Sequence, residues 1–199
     1  QILEYTGGKL HVPYVSSESG VDLIRQAKKK GLDLSCSVGL SHLFFDDTEL
    51  ESFDVNFKIF PPIRSKSDQR SLREGLLDGT IDMVSSMHEP MNIEFKKLEF
   101  ERAFAGTIGL ESCFGGLCTI FPLEKVLLFL TRGSERFGIR VSKIKTGEKA
   151  DLTFFDPDTN HTFEEKNIHS TSKNSAFIGS QLTGKVIGSY NNGVLTLNS

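Results

Sequence analysis

One stretch, "SKSDQRSLREGLLDGTIDMVSSMHEP" (65–90), joins a helical pattern directly to a strand pattern. Ser65 and Asp68 have the spacing of a capping box, and Leu72 and Leu76 mark a buried helical stripe. The following "TIDMVSS" (80–86) alternates apolar and small residues and then runs into a polar loop. A helix followed by such a strand is typical of a β/α unit, and β/α barrels place their chemistry at this end of the strand.

The same alternation occurs upstream of this stretch. Strands are predicted at "KLHVPYV" (9–15), "LDLSCSVGL" (32–40) and "VNFKIF" (55–60), and a helix at "VDLIRQAKKK" (21–30), which Gly31 would end. With 80–86 this makes four parallel strands, half of an eight-stranded barrel. Half a barrel leaves strand edges unpaired, so either another polypeptide supplies the missing half or the strands form an open sheet.

The sequence pattern changes near Thr146. Short β-type runs are divided by Asp-Pro and Asn-Gly turn signals, and "NNG" (191–193) before "VLTL" predicts a hairpin. We therefore expect an α/β barrel region at 1–143 and a small β-sandwich appendage at 144–199.

Composition argues against several partners. The formal net charge is −3 and the only basic run is Lys28–Lys30 at a helix end, so we expect no nucleic acid or membrane partner. Cys36, Cys113 and Cys118 form no CxxC pair and leave an odd count, which favours a reducing, cytoplasmic location. Because the sequence begins with Gln1, we also expect a processed or partial product.

Four segments together resemble the C-terminal half of dihydroorotase, in the amidohydrolase superfamily. They are "GGKLHVPYVSSESGVDLIRQAKKKGLDLSCSVGLSHL", "NFKIFPPIRSKSDQRSLREGLLDGTIDMVSSMHEP", "FERAFAGTIGLES" and "GEKADLTFFDPD". The resemblance implies barrel strands five to eight of a (β/α)₈ barrel plus a small β-domain. It further implies zinc-dependent opening of the cyclic amide dihydroorotate to N-carbamoyl-aspartate, in pyrimidine synthesis. The His-x-His pair of strand one would lie in a complementary N-terminal half.

The matching positions depart from the family pattern at its metal site. Tyr14 stands for the strand-five histidine, and "LSHL" keeps His42 but has Ser41 for the first histidine. Phe60 replaces the substrate-binding Asn, and Met87 replaces the Asp that binds metal and takes the proton. A thioether carries no proton at neutral pH and does not suit a hard hydroxide-bearing zinc. We expect these larger or more apolar side chains to fill the pocket, so no catalytic residue is assigned.

A few side chains remain candidates for the site. His42 is the candidate metal ligand, although a lone histidine at a strand end is more often structural. The resemblance assigns His88 and Arg64 to substrate binding, and Glu89 is a possible substitute carboxylate two residues past Met87.

Two functions are therefore open. The first is a dihydroorotase-like protein without a cofactor that acts as a structural partner, either in a homo-oligomer or in an aspartate transcarbamoylase-type assembly. The second is an active zinc-dependent dihydroorotase, completed by an N-terminal half and using His42 with Glu89 or His88.

Overall fold

The computed structural model describes residues 1–198 and begins with an α/β region. Its parallel sheet has three strands in spatial order β1 (Leu10–Val12), β2 (Leu34–Gly39) and β3 (Met83–Ser85). The helices of this region are α1 (Ile2–Thr6), α2 (Glu18–Lys29), α3 (Leu40–Phe44), α4 (Lys66–Leu77), α5 (Ile93–Lys96), α6 (Cys113–Ile120), α7 (Leu123–Thr131) and α8 (Gly133–Arg136). No helix within residues 1–198 is both long and apolar enough to cross a membrane.

Helix α4 begins at the predicted cap, and α2 begins at a serine cap of the same kind. The Ser17 hydroxyl accepts the Gly20 N–H at 3.2 Å, and the Ser65 hydroxyl accepts the Asp68 N–H at 3.3 Å. Both bonds satisfy backbone donors that a first helical turn leaves free. Gly31, at φ 75°, follows the C-cap of α2 as predicted.

The two helices bury their apolar stripes in one core with alternate residues of β2. Val21 and Leu72 of the helices and Cys36 and Val38 of the strand are each 0% exposed. The intervening Ser35 and Ser37 point the opposite way, because side chains alternate along a strand.

On that opposite face, the serines bind a histidine of the neighbouring strand. His11 of β1 lies 2.8 Å from the Ser35 hydroxyl through Nδ1 and 3.3 Å from the Ser37 hydroxyl through Nε2. The ring of Phe137 packs edge-on against the imidazole at 5.1 Å. His11 is therefore held within the sheet face rather than at a strand tip.

The strand predicted at 55–60 is wrong. Residues Val55–Phe57 form a 3₁₀ turn, capped by the Asp54 carboxylate, which accepts the Asn56 N–H at 2.8 Å. Pro61 and Pro62 follow, and neither has an N–H to donate to a strand ladder. The parallel sheet consequently has three strands within residues 1–198 instead of the predicted four.

The C-terminal region is an antiparallel sheet in the order β4 (Asp151–Thr162), β5 (Gln181–Asn191) and β6 (Val194–Leu197). The predicted hairpin is confirmed, since Asn192 and Gly193 connect β5 to β6 at φ 51° and 82°.

The predicted β-sandwich is a single sheet in the described residues, because α6 takes the place of a second sheet beside β5. The Thr183 N–H of β5 donates to the Thr119 hydroxyl of α6 at 2.9 Å. The domain boundary between residues 143 and 144 stays a prediction.

Candidate functional site

The carboxyl ends of β2 and β3 bring Met87 and His42 together above Gly39. A Cβ atom added to Gly39 would lie 1.9 Å from Met87 Sδ and 3.0 Å from His42 Nδ1. Met87 is 3% exposed and His42 is 2% exposed. The thioether therefore occupies the space that a glycine leaves open at the strand tip, next to the imidazole.

His42 is held in one orientation by a backbone carbonyl. Its Nε2 lies 2.9 Å from the Pro61 oxygen, so Nε2 carries the proton and donates it. Nδ1 is buried and has no hydrogen-bond partner in the described residues. Burial lowers the pKa of His42 and the Arg64 charge lowers it further, against backbone contacts at Pro61 and Pro62 that raise it. The imidazole is therefore neutral, with a free lone pair on Nδ1.

The backbone at two strand tips has an unusual conformation for its residue types. Tyr14 has φ 54° and Met87 has φ 50°, in the left-handed region that bulky side chains rarely adopt. Such positions cost roughly 1–3 kcal/mol each and cluster at active sites and ligand clamps. By resemblance, these positions correspond to a metal ligand and the general base. The strained backbone therefore lies at the carboxyl ends of the parallel strands, here called the mouth of the sheet.

Of the three replacements expected to fill the pocket, Met87 is buried and Phe60 is exposed in the described residues. The Phe60 ring is 74% exposed, whereas Ile59 and Ile63 are 5% and 4% exposed. The two isoleucines anchor this segment in the core, and Phe60 points away from them. Tyr14 is half-buried.

His88 has a carboxylate neighbour that the sequence motif did not reveal. Its Nδ1 accepts the Leu110 N–H at 3.3 Å and lies 3.7 Å from Glu111 Oε2. The other oxygen of Glu111 accepts the His169 N–H at 3.0 Å. The only sequence signal for Glu111 is "GLES" (109–112), which follows the loop that pairs Thr107 with His88.

The other candidates do not join Met87 and His42. Arg64 is exposed, and its Nε donates to the Ser16 hydroxyl at 3.3 Å. Glu89 has its Cβ against Gly106, 3.2 Å from where a Cβ on that glycine would lie. Its side chain is thus placed against a different glycine from the one that Met87 and His42 share.

The donors at the mouth do not by themselves fit zinc. Within residues 1–198, no group of three or more His, Cys, Asp or Glu side chains is arranged to hold a metal ion. A thioether, one imidazole and the buried Ser41 hydroxyl form a poor set for a cation that prefers nitrogen, thiolate and carboxylate ligands.

The cysteines do not supply the missing donors. Burial raises the pKa of the Cys36 and Cys118 thiols to about 11 each, and that of Cys113 to about 12. They are therefore protonated near neutral pH, and a metal would need to displace those protons.

Comparison with curated proteins gives consistent relatives. The chain is 32% identical to a dihydroorotase of Listeria innocua over 204 residues, covering 99% of this chain and 48% of the relative. It is 37% identical to a dihydroorotase of Bacillus cereus over 181 residues, covering 87% of this chain and 42% of that relative.

Solved structures share the fold. An L-hydantoinase (dihydropyrimidinase) from Arthrobacter aurescens superposes with a TM-score of 0.89 at 27% identity, over 99% of this chain and 46% of that one. The inactive dihydroorotase-like domain of a Chaetomium thermophilum CAD-like multifunctional protein superposes with a TM-score of 0.71. At 18% identity, over 99% of this chain and 54% of that one, the second likeness concerns the fold alone.

No protein-family model matches the chain. It spans about half the length of the curated relatives that it matches. The near-complete coverage of this chain by dihydroorotases, together with the hydantoinase superposition, shows that it belongs to the dihydroorotase family.

Proposed function

We propose that this chain is half of a dihydroorotase-type barrel whose metal site has been lost and that it acts as a structural partner in an assembly. One observation carries the proposal: Met87 Sδ fills the space above Gly39, at the position where the family resemblance puts the general base. A thioether can neither take the proton nor hold a hard cation there.

The partner proposed first is a complementary N-terminal barrel half. β1 and β3 are the two edges of the parallel sheet in the described residues, and an unpaired strand edge readily pairs with another chain. Leu10 on β1 is 43% exposed. The chain's coverage of about half of each relative supports a partner of similar size.

Beyond that half, we propose a cytoplasmic assembly, either a homo-oligomer or a complex with an aspartate transcarbamoylase-type partner. The three unpaired cysteines support a reducing compartment. The family resemblance supports the transcarbamoylase, which is to be sought by co-purification of the two proteins and gel filtration.

The second candidate is an active zinc-dependent dihydroorotase, and one observation favours it. His42 offers an unpaired Nδ1 while its Nε2–H is fixed by a carbonyl, an arrangement common among metal-ligating histidines. The other ligands would have to come from the complementary half.

The experiment that separates the two candidates is co-expression with the complementary half, followed by zinc analysis and an assay of dihydroorotate hydrolysis. We expect neither stoichiometric zinc nor turnover. Stoichiometric zinc, with turnover abolished by His42→Ala, would establish the enzyme and refute the scaffold.

A gain-of-site variant tests the loss directly. The double substitution Tyr14→His with Met87→Asp should restore zinc binding to the joined halves, because it returns an imidazole and a carboxylate to two strand tips. Met91→Asp is the matched control, since it adds a carboxylate outside the mouth and should bind no zinc.

A further inference from the structure

The strongest feature outside the barrel mouth is a cavity between the two regions of the chain. It has a volume of about 640 Å³, within the range of small-molecule sites. Its walls come from the 3₁₀ turn at Val55–Phe57, from α5 and from the segment 165–178. Ligand sites occur preferentially at such junctions between structural units.

Lys96 is a buried cation in the wall of this cavity. It is 5% exposed, and its Nζ donates to the Val55 oxygen at 2.7 Å and the Phe104 oxygen at 3.0 Å. An ammonium has three protons to donate, so one is left over. The ion pairs of the described residues include none for Lys96. A buried charge without a direct ion pair is costly. The charges of Asp54 and Glu89 offset part of that cost from a greater distance, and a bound anion would offset more of it.

The rest of the lining suits an anion attached to an apolar body. Two further lysines, two hydroxyl groups and three side-chain amides line the cavity with a single carboxylate, that of Glu165. These residues are Lys97, Lys173, Thr171, Ser172, Asn56, Asn92 and Asn174. Val55, Ile93 and Ile178 supply the apolar part.

Hydrogen bonds of the Asn174 side chain fix one wall of the cavity. Asn174 is buried, and its side-chain Oδ1 accepts the Met91 N–H at 2.9 Å. Its side-chain Nδ2 donates to the backbone oxygen of Glu89 at 3.1 Å and to the backbone oxygen of Gly106 at 3.2 Å. These bonds hold the loop before α5 against the C-terminal region, so the cavity is preformed.

We propose that this cavity binds a small organic anion, a phosphate or carboxylate on an apolar body, with Lys96 as the principal cation. The site is separate from the barrel mouth and does not depend on the function proposed above.

The pKa of Lys96 supports the assignment. Burial lowers it from 10.5 to about 8, opposed by the charges of Asp54 and Glu89 and assisted by that of Lys58. A bound anion favours the ammonium form and raises this pKa. Affinity for the anion should therefore fall as the pH rises through about 8, where the ammonium is lost.

The test is a calorimetric titration of the complete protein at pH 7 with phenyl phosphate, benzoate and the uncharged benzyl alcohol. At least one anion should bind about ten-fold more tightly than the alcohol. The anion that binds more tightly shows whether the site prefers a phosphate or a carboxylate. Lys96→Met should weaken that anion by about ten-fold, while Lys29→Met, at an exposed lysine on α2, should leave it unchanged.

Equal affinity for the alcohol, or equal losses in the two variants, would overturn the proposal. If Lys96→Met does not fold, the side-chain NMR titration of Lys96 decides instead. Saturating phenyl phosphate or benzoate should raise its pKa, and an unchanged pKa with both anions would refute the site.

Discussion

The helix-covered side of the parallel sheet and the mouth at its strand tips follow different rules. On the covered side, α2 and α4 have side-chain caps and bury Val21 and Leu72 completely. At the mouth, Tyr14 and Met87 have left-handed backbones, and the Ser41 hydroxyl and His42 Nδ1 are buried without partners in the described residues.

The difference separates a region whose caps and buried side chains agree with the fold from a region that carries backbone strain and unpaired polar atoms. On the covered side, the helix caps and the buried apolar stripes agree with the global fold, which is how a sequence specifies one structure. Strain and unsatisfied polar atoms are tolerated where function needs them. The mouth keeps this cost although Met87 cannot do the work of a carboxylate, which is what we expect if the metal site has been lost as proposed above.

The sharpest test of the covered side is Leu72→Ala. Leu72 is 0% exposed in the core, so its truncation removes buried methyl groups and leaves a cavity. We expect the free energy of unfolding to fall by about 2–5 kcal/mol, measured by urea denaturation. Leu77→Ala on the same helix is the control, because Leu77 is 49% exposed and should cost far less. Equal losses would mean that α4 does not pack as described.

A pH titration of stability tests the mouth. Burial lowers the pKa of His42 from 6.5, so the unfolded chain takes up a proton at a higher pH than the folded one. Above pH 6.5 this histidine contributes no pH dependence. As the pH falls below 6.5, stability should be lost at up to about 1.4 kcal/mol per pH unit, until the folded state is protonated too.

His42→Gln should remove this loss, because glutamine can keep the donor to the Pro61 oxygen without titrating. Urea denaturation at pH 7 and pH 5 measures it, with His169→Gln, at an exposed histidine, as the control. Burial also lowers the pKa of His11, so the acid loss that His11 causes remains in both variants. The same acid loss in His42→Gln and in the unmodified protein would contradict the assignment.

Backbone strain at the mouth is tested by comparing Met87→Gly with Met87→Ala. In ordinary positions the glycine variant is less stable, because the unfolded chain gains freedom. At φ 50° an alanine keeps the left-handed penalty of about 1–2 kcal/mol, whereas glycine avoids it. Thermal or urea unfolding should show the glycine variant more stable by about 1 kcal/mol, and the reverse order would exclude strain at this tip.

The covered side was largely predictable from sequence because its signals are local. Ser65 and Leu72 act within α4, Gly31 acts at the end of α2, and Asn192 with Gly193 acts within one turn. The strand predicted at 55–60 is wrong because the apolar spacing of this segment gives no sign of the cap that Asp54 provides. The two prolines that follow also lack the N–H groups that a strand would need.

The site was predictable only in part. Alignment with the family motif placed Met87 and His42, but their meeting above Gly39 depends on how β2 and β3 pair. Glu111 lies far along the chain from His88, and the bridge between His88 and Thr107 brings them together. No local pattern encodes such an approach, nor the outward direction of Phe60.

The smallest expected effect is at the cap of α4. It tests how much a local helix signal contributes to the covered side of the sheet. Ser65→Ala removes the bond to the Asp68 N–H and should lower the free energy of unfolding by about 0.5–1 kcal/mol. The loss lies low in the usual range because Asp68 stays in the first turn and still offsets the helix dipole. Ser71→Ala within the same helix is the control, and helix propensity predicts no loss there. Identical urea midpoints for the two variants would show that α4 does not depend on its cap, and the covered side would then be held by core packing alone.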